Sequence, residues 1–475
     1  MTSTTMEEMN RSPAPTTRQA DAPAAVAPGA TTRGAAVPAD LTDTTAKNRI
    51  IVIGGGAGGL ELVVKLARKL RRDASTEVLL VDKNPTHIWK PLFHEVATGS
   101  MDSAHDEASY RMLARKHRFR FMLGTVTRVD LENQQVLLDE VHDSNGQAIS
   151  PRREIPYSQL VVCVGSHSND FGIPGVREFS RQLDSREQAE QFHKHFAAQF
   201  QRVNYNGDPN AVLSVVIVGG GATGVELAAE MHNVVQRLRE YGFEDFSQER
   251  LKVTVVEAAP GLLPRLAPRI GISVKAELEK IGVAVRVGTT VSRVNRDTVE
   301  TSDGQIIDAD ISVWAAGVKA PAWLAECGFP TDRLGRIEVS DELVVKGVDN
   351  VLAVGDCCGC RARDGSEIPP RAQAAHQMAA VAVRNVLALR SGKSLKRFVY
   401  RDFGSIVNLS RFSTVGNLMG NLMRGTVFIE GWVARLVYLS LYRLHQAAIH
   451  GRFSTLLIML GDRIYKSTRA EVKLH

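Results

Sequence analysis

One arrangement occurs twice in this chain and fixes most of what it can fold into. The run IIVIGGGAGGLELVVKLARKL, beginning at Ile50, reads as a buried strand, a glycine-rich turn and a helix, and the strand EVLLVD follows. About 165 residues later SVVIVGGGATGVELAAEM repeats the unit, with LKVTVVEAAP as its next strand. A strand, turn, helix and parallel strand of this kind cannot bury its faces alone, so a duplicated unit predicts an α/β protein with two doubly wound sheets.

The turns themselves carry a ligand argument. In Gly54-x-Gly56-x-x-Gly59 the first glycine permits the tight turn, the second lets backbone approach a pyrophosphate, and the third lets the helix pack on its strand. Asp82 ends the following strand, where an acid accepts hydrogen bonds from a ribose. Gly219-x-Gly221-x-x-Gly224 repeats this, and Glu257 takes the place of Asp82. A glycine-rich turn with no ligand is the alternative for either loop taken alone. Two loops, each with its acid, imply two dinucleotides side by side, and FAD with a nicotinamide cofactor is the natural pair. A carboxylate at Glu257 repels a 2′-phosphate, and Ala258, Ala259 and Pro260 offer no arginine to clamp one, which favours NADH over NADPH.

The rest of the chain sets limits. Its 475 residues predict two or three domains, and 44% hydrophobic with 23% charged residues describes an ordinary globular chain. The net charge of +6 gives no reason to expect a nucleic-acid partner. Residues 1–47 contain no aromatic residue and are rich in Ala, Thr and Pro, which predicts a disordered tail. Glu7, Glu8, Asp21, Asp40 and Asp43 argue against a transit peptide. An odd number of cysteines, five, does not suggest a disulfide framework. Residues 60–162 lack cysteine, which disfavours a reductase with a redox disulfide beside its flavin. Cys357 and Cys360 have Cys-x-x-Cys spacing but no second ligand pair, so no metal site is expected, and Cys357, Cys358 and Cys360 read as small side chains under a cofactor loop.

Several segments narrow the choice by resemblance. VDKNPTHIWKPLFHEVATGSMD (81–102), WAAGVKAP (314–321), VGDC (354–357) and AQAAHQ (372–377) resemble the type II NADH dehydrogenases, the single-subunit NADH:quinone oxidoreductases. The tail from Tyr400 to the terminal VKLH is similar to that of the bacterial respiratory members. The likeness spans about Arg49 to His475. It implies that Gly54, Gly56, Gly59 and Asp82 hold the FAD pyrophosphate and ribose, that Gly355-Asp356 contacts the flavin ribityl chain or phosphate, and that Gly219, Gly221, Gly224 and Glu257 hold NADH. It also implies that Glu226 lies between nicotinamide and flavin, where the plain alternative is a first-turn helix acid. Ala316 and Gly317 would admit the nicotinamide. Lys90 would lie near the isoalloxazine or else be a snorkelling surface lysine. Gln373 and Gln377, spaced i, i+4, share a helix face and would bond a quinone carbonyl, either ubiquinone or menaquinone. His376 lies off that face, and adjacent His94 and Glu95 read as structural.

The expected domains are an FAD domain at 48–170 and 330–400, an NADH domain at 171–329 and a membrane-associating region at 401–475. From Gly425 to the end there are seven Lys/Arg against three Asp/Glu. Val433, Leu436, Val437, Leu441, Leu444 and Ala448 form a helical stripe, with Arg435, Arg443 and His450 beside it, which reads as a helix lying on anionic lipid. FSTLLIML, which follows, is too short to span a membrane. The protein is thus expected on the cytoplasmic face of the inner membrane, with a homodimer open. A sulfide:quinone oxidoreductase is the rival enzyme, but it would need flavin-proximal cysteines, and Cys163 and Cys327 match poorly. A non-catalytic, NADH-sensing membrane flavoprotein is the other alternative.

Overall fold

The computed structural model describes residues 48–468 except 144, 241, 244, 245, 247, 363, 411 and 420–425, with backbone alone for 413–419, 426–437, 439, 441 and 465–468. The expected tail at 1–47 and the stripe residues Val433, Leu436, Val437 and Leu441, with Arg435, therefore lie outside what it describes.

Strands β1 (Asn48–Ile53), β2 (Thr76–Asp82), β3 (Arg120–Leu123) and β4 (Gln159–Val162) run parallel in the spatial order β4-β1-β2-β3, and strand Val351–Ala353 extends the sheet beyond β4. The second sheet contains β5 (Ser180–Arg181), β6 (Leu213–Val218), β7 (Leu251–Glu257), β8 (Ala284–Val287) and β9 (Ile311–Trp314), in the order β5-β9-β6-β7-β8. Its order β9-β6-β7-β8 reproduces the first sheet strand for strand, so the sequence duplication is a duplication of topology. The central strands are buried on both faces, Ile50, Ile51 and Val52 completely, which is why they read as unbroken apolar runs.

Helices cover the sheets. The first unit's helix α1 (Ala57–Leu70) buries Leu60, Leu62, Val63, Val64 and Leu66, and places Arg68 and Lys69 in its last turn, where cations suit the helix dipole. Helices α2 (Phe93–Thr98) and α3 (Tyr110–His117) follow. Helix α4 (Arg186–Tyr205) begins with a Ser185/Gln188 capping box, and α5 (Ala222–Glu240) opens after the second glycine loop. Helix α6 (Ala372–Arg390) packs on α1.

The C-terminal region adds an antiparallel sheet, β10 (Gly404–Leu409), β11 (Ser413–Met419) and β12 (Thr426–Glu430), then α7 (Gly431–His450) and α8 (Arg452–Thr468). Where side chains of α7 are described, the helix faces inward. Tyr438 and Tyr442 pack on the main core, and His445 and Ile449 are buried. Leu444 is exposed, while Ala448 is half-buried. Among the described residues an exposed apolar face lies on α8, where Phe453, Leu456, Leu457, Leu460 and Ile464 recur at helical spacing and are all more than half exposed. Arg452 and Arg463 are exposed on the same helix. No helix among the described residues is long and apolar enough to cross a membrane.

Candidate active site

Each glycine loop sits where its sheet's strand order reverses, the position at which open α/β sheets bind ligands. Gly54 follows β1 with φ +94, and a Cβ there would lie 2.4 Å from the carbonyl oxygen of Cys163, just past β4. Gly219 follows β6 with φ +116, and its Cβ would lie 2.6 Å from the carbonyl carbon of Ala315, just past β9. A Cβ on Gly59 would come within 1.9 Å of Gly54 O, and one on Gly224 within 2.1 Å of Gly219 O. By contrast, Gly56 and Gly221 face open space. Only the outer side of each loop is free, and Gly56 caps α1 without any side-chain hydrogen bond, so the helix's first amides remain available to an anion. Both loops fit a dinucleotide pyrophosphate.

The two acids are held in the same way. Asp82 accepts hydrogen bonds from Gly55 N–H at 2.6 Å and Asn84 N–H at 2.8 Å. Glu257 accepts from Gly220 N–H at 2.6 Å and Ala259 N–H at 2.8 Å. Each carboxylate is thus fixed against its own loop, with lone pairs left over for a ribose. Ala316 lies against the second loop, where a Cβ on Gly219 would meet Ala316 N at 2.7 Å. Gly317 has φ +66, and the ring of Phe171 covers the space a side chain would fill.

Gly355 and Asp356 follow the strand that joins the first sheet late. Asp356 accepts from the Ser166 hydroxyl at 2.8 Å, and Lys90 Nζ donates to Ser166 O at 3.0 Å while lying 3.6 Å from Asp184. The structure therefore joins Lys90 to the Asp356 network although its side chain is 44% exposed. Cys357, Cys358 and Cys360 are free and buried beside this turn, with burial raising their thiols, Cys357 and Cys360 to about 11.

Gln373 and Gln377 share a face as expected, but both amides are engaged. Gln373 accepts from the Tyr400 hydroxyl at 2.9 Å and Phe403 N–H at 3.2 Å, and donates to Gly404 O at 3.2 Å. Gln377 exchanges two bonds with the Arg401 backbone. They tie α6 to residues 400–404, and each retains one amide hydrogen for another acceptor. His376 pairs with buried Glu61.

Glu226 lies in the first turns of α5 and is buried. Its Oε1 accepts from Asn408 N–H of β10 at 3.1 Å, and its Oε2 lies 3.8 Å from His94 Nδ1 of α2. Burial, with help from Glu95 and Glu230, pushes its carboxyl up to about 8, so it holds a proton at neutral pH. Reading His94 and Glu95 as merely structural misses this contact. His94 Nε2 lies 3.9 Å from Glu95, and the ring also bonds the Pro91 backbone. The signal lies in the pair Glu226 and Glu230, two acids one turn apart in the mostly apolar first half of α5.

Comparison with known proteins gives a consistent picture. Residues 48–379 match the pyridine nucleotide-disulphide oxidoreductase family. The type II NADH:quinone oxidoreductase of Haemophilus influenzae is 39% identical over 90% of this chain and 99% of its own. The Mycobacterium tuberculosis type II NADH:quinone oxidoreductase is 30% identical over 86% and 87%. Among solved structures, NDH2 from Plasmodium falciparum in complex with NADH superposes with TM-score 0.74 at 17% identity, covering 90% of this chain and 100% of that one. The sulfide:quinone oxidoreductase of Aquifex aeolicus shares the fold at TM-score 0.64 and 16% identity, over 85% and 92%.

Proposed function

Because this chain belongs to the pyridine nucleotide-disulphide oxidoreductase family and, within it, to the type II NADH:quinone oxidoreductases, we propose that it oxidises NADH through bound FAD and reduces a membrane quinone without pumping protons. The observation that carries the reading is the second loop, built like the first down to the anchoring of its acid. FAD, when bound, accepts the hydride of NADH and passes the electron pair to quinone.

The protein's part is to position, exclude and balance charge. Gly54, Gly56, Gly59 and Asp82 hold the pyrophosphate and adenosine ribose of FAD, and Gly355 with Asp356 holds its ribityl side, with Lys90 braced on the same network. Gly219, Gly221, Gly224 and Glu257 hold NADH, and Ala316 and Gly317, beside the Phe171 ring, border its nicotinamide. Glu226 stands at the nicotinamide–flavin contact as a neutral acid. Gln373 and Gln377 offer their remaining amide hydrogens to a quinone, ubiquinone or menaquinone. These roles divide the chain into an FAD domain at 48–170 and 330–400, an NADH domain at 171–329 and a membrane-associating region at 401–475. In that last region the exposed face of α8, with Arg452 and Arg463, is the surface we assign to anionic lipid. The protein then docks on the cytoplasmic face, where NADH is found.

Steady-state oxidation with a soluble quinone analogue tests the reading. NADH should support turnover and sulfide should not. Sulfide-driven quinone reduction would replace this reading with that of the sulfide oxidoreductases, and an absence of turnover with NADH would leave a sensor.

A further inference from the structure

We propose that His445 of the C-terminal helix α7 is a positioning residue for FAD, acting through His87 on the carbonyl of Gly55 in the first glycine loop. The inference rests on the assignment of that loop to FAD. Gly55 is gripped at both ends. Its N–H donates to Asp82, and its carbonyl oxygen accepts from the Tyr110 hydroxyl at 2.8 Å and from His87 Nδ1 at 3.0 Å. No peptide among the described residues is cis, and in a planar trans peptide the C=O and N–H point opposite ways. Holding Gly55 O inward therefore turns the Gly56 N–H away from Tyr110 and His87, to the side where Gly56 faces open space and a pyrophosphate fits.

The partners fix both tautomers. A carbonyl oxygen can only accept, so His87 Nδ1 carries the hydrogen of that bond. Both rings are buried, and burial holds them neutral at neutral pH, with His87 pushed down to about 4. Burial pushes His445 lower still, helped by His87, His376 and His450. A neutral His87 with its hydrogen on Nδ1 has a bare Nε2. His445 Nε2 lies 3.0 Å from that nitrogen, so His445 is the donor. The chain His445 to His87 to Gly55 O thus runs in one direction, and each bond polarises the next. His445 is held in place for this by Trp89, whose ring centroid lies 4.1 Å from its own.

The second loop is braced differently. Its Gly220 carbonyl accepts from Leu263 N–H at 2.9 Å, a backbone bond from the segment that follows β7. The two loops are otherwise alike, down to the acid that accepts from the Gly55 and Gly220 N–H groups. Among the described residues, side-chain hydrogen bonds therefore tie the FAD loop to α7 and do not tie the NADH loop to it. Retention of FAD is coupled to the seating of the C-terminal helix, while the grip on NADH is independent of it.

Release of FAD from the holoenzyme, followed by the rise in flavin fluorescence on dilution, tests the chain. His445→Phe keeps a ring against Trp89 and removes the donor. It should speed release about fivefold to tenfold, the worth of one hydrogen bond, and leave KM for NADH of the flavin-loaded protein within about twofold of wild type. His445→Gln keeps an N–H donor and should bring release back to within about twofold of wild type. His87→Leu should release FAD at least as fast as His445→Phe, and adding His445→Phe to it should change the rate less than about twofold, because His445 acts through His87. Where His445→Phe does not fold, His445→Asn, too short to reach His87, takes its place in the same comparisons. Unchanged release in the single variant, a full further effect on top of His87→Leu, no recovery with glutamine, or KM for NADH rising in step with FAD loss would each overturn the proposal. A wild-type protein that binds no FAD would overturn the assignment of the loop itself, and that result is read before any variant is made.

Discussion

Replacing Glu226 by glutamine should stabilise the protein, and by an amount that grows with pH. The Glu226 carboxyl is raised from an ordinary 4.5 to about 8 in the fold. Between those values the unfolded chain releases this proton and the native chain keeps it. The native state then binds more protons, so stability falls as pH rises, until the native carboxyl also ionises. At pH 7 the gap is about 2.5 units, and at about 1.36 kcal/mol per unit the cost is on the order of 3 kcal/mol relative to pH 4.5. Glutamine carries no titrating proton, and its Oε1 can still accept from Asn408 N–H, so the variant escapes this cost without losing the contact. All other titrating groups are common to both proteins, and the difference curve isolates Glu226. Urea unfolding of flavin-loaded wild type and Glu226→Gln, compared from about pH 5 to pH 8, should show a gap that widens in favour of the variant. A gap that is flat across this range would refute the reasoning, because it would mean that Glu226 is ionised throughout.

Three further outcomes follow from the site. Gly59→Ala, whose Cβ would lie 1.9 Å from Gly54 O, should yield colourless protein, whereas Gly224→Ala, at 2.1 Å from Gly219 O, should keep its flavin absorbance and raise KM for NADH. Glu257→Gln with Ala258→Arg removes the repulsion and adds a phosphate clamp, so the ratio of kcat/KM for NADPH over NADH should rise at least about tenfold. Deleting residues after His450 removes α8 and leaves the packed α7, so the truncated protein should keep FAD and its activity with a water-soluble acceptor but no longer sediment with anionic vesicles. Truncation after Arg424 would also remove Tyr438, His445 and Ile449 from the core, and flavin loss or aggregation is expected there.

How far the fold is legible in the sequence depends on where each constraint is written. The glycine loops are legible because their constraints are local, in a positive φ at Gly54 and Gly219 and in the missing Cβ of Gly59 and Gly224. Asp82 and Glu257 are legible as strand-ending acids, but not the loop amides that hold them. Gln373 and Gln377 are correctly placed on one helix face, yet spacing says nothing of residues 400–404, which engage them. At the C-terminus, periodicity identifies amphipathic helices without saying which face meets the protein. The body takes Tyr442, His445 and Ile449 of α7 and leaves α8 the exposed stripe. His94 escapes for the same reason. Its chain neighbour Glu95 does point elsewhere in part, but the partner that matters, Glu226, arrives from a helix distant in sequence.

One chain passes electrons from NADH through FAD to quinone. An anaerobic titration of the purified flavoprotein tests this most directly. One equivalent of NADH should bleach the flavin absorbance, and one equivalent of a soluble quinone should restore it fully, with one quinol formed per NADH. Flavin that bleaches with NADH but is not restored by quinone, or that NADH does not bleach at all, would contradict the account.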